Sequence, residues 1–215
     1  MLVHEQMTPN PVTVTHGMPV QEALGLMKER KIRRLLVVDD KGRLVGIVSE
    51  KDLLYASPSP STSLSVYEIN YLLSKLTVEK VMTKKVISVA EDTPLEEAAR
   101  IMADNKIGGL PVLRDGKLAG IITETDVFHA LLQLFGGRRS GVRLTVSVPG
   151  AKGSVAKFTA AIAEAGGDIV GLGLKELTEG KSGGEITVKV QGLSKDRLVA
   201  AVKPVSTAVI DIREV

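Results

Sequence analysis

Roughly the first 130 residues of the chain write nearly the same pattern twice, and this duplication restricts the fold more than any other feature. Met7-Thr8 recurs as Met82-Thr83. Val14, Pro19, Glu22, Ala23, Met27, Lys31, Ile32, Leu35 and Val37 recur unchanged at the same offset, as Val89, Pro94, Glu97, Ala98, Met102, Lys106, Ile107, Leu110 and Val112. After a one-residue slip, Gly42-Arg-Leu-Val-Gly46-Ile-Val-Ser49-Glu-Lys-Asp52 matches Gly116-Lys-Leu-Ala-Gly120-Ile-Ile-Thr123-Glu-Thr-Asp126. Solenoid units run ~20–50 residues, so a period this long marks a duplicated small domain. Two copies of one unit pack about a pseudo-twofold axis, and the clefts lie where they meet.

Each copy reads β-α-β-β-α. In the first, Val12–Val14 is a short strand, and Pro19 sits in a first helical turn, where its missing N–H costs nothing. Ala23, Leu26, Met27 and Arg30 follow at helical spacing. Leu35–Val38 is a buried strand, Asp40-Lys-Gly42 a turn, Leu44–Val48 a returning strand, and Glu50–Ala56 the start of another helix. Between the copies, a proline-broken loop over 57–63 leads to Ser65-Val-Tyr-Glu68, which fits a capping box. Ile69, Leu72, Leu73 and Leu76 then form an apolar stripe, read as an amphipathic linker helix over 65–76; a partner-binding helix is the alternative.

After Phe135-Gly-Gly-Arg-Arg-Ser-Gly141, a helix cap and hinge, the pattern changes. Leu144, Val146 and Val148 alternate with polar residues. Ser154 is the expected N-cap of a helix marked by Val155, Phe158 and Ile162. Ile169–Leu174 and Glu185–Val190 are strands, Ser194 opens a second helix, and Ala208, Ile210 and Ile212 alternate in a last strand. That is βαββαβ, the ferredoxin-like order. The expected organisation is 1–56, 57–76 (linker), 77–135, 136–141 (hinge) and 142–215, in the mixed α/β class.

Composition removes several function classes. Aromatic residues are 3% of 215, with no Trp, so a single-strand nucleic-acid binder would lack stacking platforms. Cysteine is absent, which excludes disulfides, thiolate metal sites and thiol nucleophiles. The net charge of +3 comes without a long basic run. No apolar stretch reaches the ~20 residues of a membrane span, and no leader pattern opens the chain. The expectation is a cytoplasmic protein with no nucleic-acid or membrane partner. His4, His16 and His129 show no metal spacing, and no catalytic constellation stands out.

The strongest chemical signal is the doubled Gly-apolar-apolar-Ser/Thr-x-x-Asp. A strand ends at Ser49 or Thr123 and a helix begins. The hydroxyl with free helix N–H groups suits an anion, and Asp52 or Asp126 one turn on suits a vicinal diol. Alternatively Ser49 and Thr123 are N-caps, and each Asp favours the helix N-terminus.

This signature resembles that of the CBS-domain pair, or Bateman module. The C-terminal unit resembles an ACT domain, and the order CBS–CBS–ACT with its inter-copy insert resembles the acetoin-utilisation B family. The resemblance implies an adenosine ligand, AMP, ADP, ATP or S-adenosylmethionine, in the cleft. By position, Asp52 and Asp126 hold ribose, Ser49 and Thr123 contact ribose or phosphate, and Val12, Thr13, Ile87 and Ser88 border adenine. Arg33 and Arg34 are phosphate-binding candidates; the other reading pairs them with the preceding helix C-terminus. Gly108 and Gly109 stand at the same places in the second copy, so only one site should carry a doubled cation.

The ACT resemblance points to Lys152, Gly153, Ser154 and Asp168 for a small metabolite, or to a dimerisation unit without ligand. Three functions follow: a regulatory sensor, a structural dimerisation subunit with vestigial sites, or, with no catalytic group behind it, an enzyme of acetoin metabolism. A homodimer or larger assembly is expected, with an effector enzyme not identifiable from sequence. The bare sheet face of the last unit and the helix faces at Leu24 and Met27, or Ala99 and Met102, are the candidate contacts.

Overall fold

The computed structural model describes residues 1–56, 75–176 and 183–215. The expected linker helix over 65–76 therefore lies almost wholly outside the described residues. The chain forms two compact units, Met1–Val127 and Phe128–Val215.

In the first unit the copies do not stand apart. The first copy holds β2 (Thr13–Thr15), β3 (Arg34–Val38) and β4 (Leu44–Ser49) in one sheet, with β2 parallel and β4 antiparallel to β3. The second repeats this as β5 (Val89–Ala90), β6 (Gly109–Arg114) and β7 (Lys117–Thr123). A strand that repeat counting omits, β1 (Thr8–Pro9), belongs by sequence to the first copy but pairs with β7 of the second, Thr8 opposite Ile121. Its echo Thr83 bridges back to Ile47 on β4.

The short helices Val3–Gln6 and Val78–Val81, which precede these segments, are exchanged in the same way. Val3 N donates to Thr93 O, and Val78 N donates to Met18 O. Val78 is fully buried in the first copy's core, among Val14, Val20, Ala23, Met27 and Leu35. Each copy thus lends its opening segment to the other.

The helices Val20–Arg30 and Leu95–Asn105 cover the sheets and bury Ala23 and Met27, or Ala98 and Met102. Lys31 and Lys106 end them at φ +53° and +55°. Met27 and Met102 are 1% and 3% exposed, which corrects their expected role in an intersubunit face: they are spent inside the chain. The one-residue slip between the repeats falls in the hairpin. Asp115 (φ +49°) and Gly116 (φ +73°) make a tight two-residue turn in the second copy. The first copy has a longer loop, closed by Asp39, whose Oδ1 accepts from Lys41 N and Arg43 N.

The second unit is one antiparallel sheet in the order β11 (Ala208–Glu214), β8 (Val142–Val148), β10 (Gly184–Gln191), β9 (Asp168–Glu176). With the helices Ser154–Glu164 and Lys195–Val202 this is the ferredoxin-like topology. Leu144, Val146, Ile186 and Val190 pack under Phe158, Ile162, Leu198 and Val202. Ser194 caps the second helix, accepting from Arg197 N. Gly153 (φ +82°), not Ser154, is the N-cap of the first; Ser154 Oγ instead donates back to Ala151 O.

The other sheet face is polar, so the expected bare apolar face is not what these residues build. Thr145 Oγ1 and Thr187 Oγ1 lie 2.9 Å apart, and Arg143 meets Asp211 at 2.9 Å. Phe135 packs against Gly171 and Gly173, where a side chain would collide with it. The 136–141 stretch, expected as a hinge, is tied down. Gly136 (φ +58°) and Gly137 close the helix Glu124–Leu134 in a Schellman motif, with Gly137 N donating to Leu132 O and Gly136 N to Gln133 O. Buried Lys189 donates to Gly136 O and Arg139 O, both at 2.9 Å.

Candidate functional site

Ser49 ends β4 and Asp52 sits in the first turn of the helix Glu50–Tyr55. Asp52 Oδ2 accepts from Ser49 N at 2.8 Å and from Ser49 Oγ at 2.6 Å, and Ser49 Oγ accepts from Asp52 N at 3.2 Å. The second copy repeats the core of this box: Asp126 Oδ2 accepts from Thr123 N at 2.8 Å and from Thr123 Oγ1 at 2.7 Å. The capping and ligand readings of the signature are therefore compatible. One carboxylate oxygen satisfies the cap, and among the described residues Oδ1 of each Asp carries no hydrogen bond. The free helix N–H groups expected to hold an anion are partly used. Glu50 N donates to Arg33 O and Glu124 N to Gly108 O.

Each Asp borders a cavity, and each cavity draws on both copies. The first, of ≈ 440 Å³, joins Ser49 and Asp52 to Thr83, Ile87, Lys106 and Gly108 of the second copy. The second, of ≈ 350 Å³, joins Thr123 and Asp126 to Thr8, Asn10, Val12 and Lys31 of the first. This crossing follows from the exchanged opening segments, which lay Thr8 and Asn10 against the second copy and Thr83 against the first. Val12 and Ile87 come to the cavities. Thr13 and Ser88, one residue on, lie outside the two linings.

Arg33 and Arg34, expected to flank one site only, border both cavities. Neither turns back to the helix C-terminus. Arg33 Nη2 reaches Thr125 Oγ1 at 3.5 Å, and Arg34 Nη2 lies 4.0 Å from Glu124 Oε2. Gly108 and Gly109 lack side chains where Arg34 lies: a Cβ on Gly108 would strike its guanidinium, and one on Gly109 would sit 3.1 Å from its Cδ. Burial pushes the Arg34 guanidinium below its usual pKa, against the pull of Glu124.

The sequence assigned no site role to Lys31, Lys51, Lys85, Lys106 or Asn10 (φ +48°), which complete the linings. Their signal in the sequence was the shared offset of Lys31 and Lys106, which marks matching positions without saying that they face the opposite signature.

Lys152, Gly153, Ser154 and Asp168 are not gathered into one site. Gly184 pairs with Val148 and Glu176 at one end of the sheet, whereas Val190 pairs with Val142 and Gln191 with Asp168 at the other. The turn with Lys152, Gly153 and Ser154 leaves from the Val148 end, roughly 20 Å of strand from Asp168.

A sequence profile of the CBS domain matches residues 3–59 and 78–133. The chain belongs to the CBS-domain family. Its CBS pair is similar to three solved structures. One is the CBS domain pair of MJ0100 in complex with 5′-methylthioadenosine and S-adenosylmethionine, at 30% identity and TM-score 0.51, covering 65% of this chain and 98% of that one. Another is CBSX2 of Arabidopsis thaliana in complex with AMP, at 38% identity and TM-score 0.51, covering 61% and 96%. The third, assigned as an acetoin utilization protein (AcuB) of Vibrio cholerae, gives 34% identity and TM-score 0.53, covering 64% and 95%. The chain spans only 26% and 32% of the length of the first curated relatives it matches. Among the described residues no helix is long and apolar enough to cross a membrane, and no cluster of His, Asp and Glu has the makings of a metal site.

Proposed function

We propose that the chain is a regulatory sensor whose CBS pair takes an adenosine nucleotide or related adenosyl compound, AMP, ADP, ATP or S-adenosylmethionine, in each of its two cavities. The observation that carries this is the division of labour within each signature carboxylate. Oδ2 of Asp52 and Asp126 holds the helix start, while Oδ1 of each, without a hydrogen bond among the described residues, leaves these cavity-lining carboxylates an oxygen for a ribose diol. Val12 and Ile87 offer apolar surface for a base, and Arg33 and Arg34 supply charge for phosphate. The AMP and S-adenosylmethionine complexes of similar CBS pairs support the ligand class. Likeness to AcuB supports a link to acetoin or acetate metabolism, exercised through an effector enzyme.

The second unit is read as an ACT-type module. Because Asp168 and the Lys152–Ser154 turn lie at opposite ends of one sheet, a metabolite site using both requires a second copy of the chain. A homodimer fits this, and it fits the exposure of Leu54 and its repeat counterpart Phe128, 57% and 63% exposed. Titration calorimetry with AMP, ADP, ATP and S-adenosylmethionine tests the ligand reading. Binding by at least one, weakened by ~1.5–3 kcal/mol in Asp52→Ala or Asp126→Ala, is the expected result. No heat from any of the four, or wild-type binding in both variants, would remove it.

A further inference from the structure

The two cavities do not own separate guanidinium groups. Arg33 and Arg34 border both. Arg34 has a 23% exposed side chain that lies across Gly108 and Gly109, beside the Asp52 cavity. Its nearest acidic partner, Glu124, begins the helix that carries Asp126 of the other cavity. The group meets Glu124 only at a long 4.0 Å, so an arriving anion can draw it away.

We propose that the two cavities are negatively coupled for phosphate-bearing ligands because the one guanidinium of Arg34 serves both. This rests on the adenosine-ligand reading above. A guanidinium forms one two-pronged phosphate contact at a time. The first phosphate to arrive takes it, and the second cavity must bind with what is left. Arg33 borders both and remains, but the rest differs. The Asp52 cavity keeps Lys51, Lys85 and Lys106 against Glu50, whereas the Asp126 cavity keeps Lys31. The Asp52 cavity therefore fills first with an anionic nucleotide. Two phosphates either side of one cation also repel each other. A neutral nucleoside makes no claim on Arg34 and escapes the effect. By linkage, the penalty is the same whichever site is filled first.

Titration calorimetry of the intact chain with AMP and with adenosine, at low and high salt, decides this. Adenosine should bind in two steps whose ratio does not change with salt. The gap between the two AMP steps should exceed the adenosine gap about tenfold, within the ~5–150-fold span of ordinary coupling. Arg34→Gln should narrow the AMP gap to the remainder set by the unequal lysine linings. High salt should narrow the AMP gap in the wild type, a readout that does not depend on any variant folding. One AMP against two adenosines per chain is the extreme form of the same coupling and supports it.

A statistical AMP ratio, an equal gap for AMP and adenosine, one equivalent of each, a gap that Arg34→Gln leaves unchanged, or one indifferent to salt would overturn the coupling alone. Absence of binding by every adenosine compound would remove the ligand reading and this coupling with it.

Discussion

The thioether of Met82 occupies the space above Gly46 where any other residue would carry its Cβ, and Met7 does the same over Gly120. The repeated Met-Thr pairs and the repeated glycines are thus two halves of one contact, made across the copies. The two contacts differ in one respect. At Gly46 all the nearest atoms belong to the flexible Met82 side chain, whereas at Gly120 the carbonyl oxygen of Thr8 also stands 3.0 Å from where an added Cβ would lie.

Gly120→Ala should therefore destabilise the fold by about 1–3 kcal/mol, the usual cost of overpacking, and Gly46→Ala by less. Urea unfolding of the two variants measures this. Equal losses would mean that the Thr8 backbone gives way as easily as a methionine.

Separating the cap from the ligand role requires two substitutions. Ser49→Ala and Asp52→Ala each break the capping box and should each cost ~0.5–2 kcal/mol in the ligand-free protein. Only Asp52→Ala removes Oδ1. Its AMP affinity should fall well beyond that of Ser49→Ala in parallel calorimetric titrations. Matching affinities would assign the carboxylate to the cap alone.

Lys189→Met keeps the apolar stem and removes the two hydrogen bonds to Gly136 O and Arg139 O. A loss of about 1–3 kcal/mol in urea unfolding is expected, with faster amide exchange over 136–141. Unchanged exchange there would show that the Schellman closure and the bonds between Gly141 and Val215 hold the segment without the lysine.

Acid should weaken the fold. Hydrogen bonds from Arg43, Arg114, Arg100 and Arg213 hold the carboxyls of Asp39, Glu91, Glu97 and Asp211 below their ordinary range. The unfolded chain then takes up protons first, so their contribution is present above the unfolded carboxylate pKa of about 4 and is lost as pH falls through the folded values. The urea midpoint should drop between neutral pH and pH ~3, less steeply in Asp211→Asn and in high salt. A midpoint flat over that span would contradict it.

Much of this was legible in the residues. The doubled β-α-β-β-α units, the capping residues Ser49 and Ser194, and the ferredoxin-like order all follow from local periodicity and turn chemistry. The exchange of Val3–Pro9 and Val78–Thr83 was not, because a two-residue strand has no period and its partner is a matter of tertiary packing. Everything that depends on the exchange was hidden with it: the crossed linings, the lysines that complete them, and the placing of Arg34 between two cavities. Met27 and Met102 show the same limit from the other side. Their helical spacing marks an apolar face, but spacing alone does not say whether that face meets the chain's own core or a neighbour. In the second unit, alternation located the strands correctly, yet the polar outer face emerged only from which parity of Arg143, Thr145 and Lys189 turned away from the helices.

The exchanged segments also bear on how such a chain comes to be. Either copy cut free would keep an unfilled groove above its own glycine and a Met-Thr arm with nowhere to lie. Two identical free copies could cure both defects by trading arms. The tandem chain is, in its geometry, a swapped dimer whose members have been fused head to tail. Fusion allows the partners to diverge, and Arg34 facing Gly109 at the matched position is a difference that no pair of identical subunits could hold.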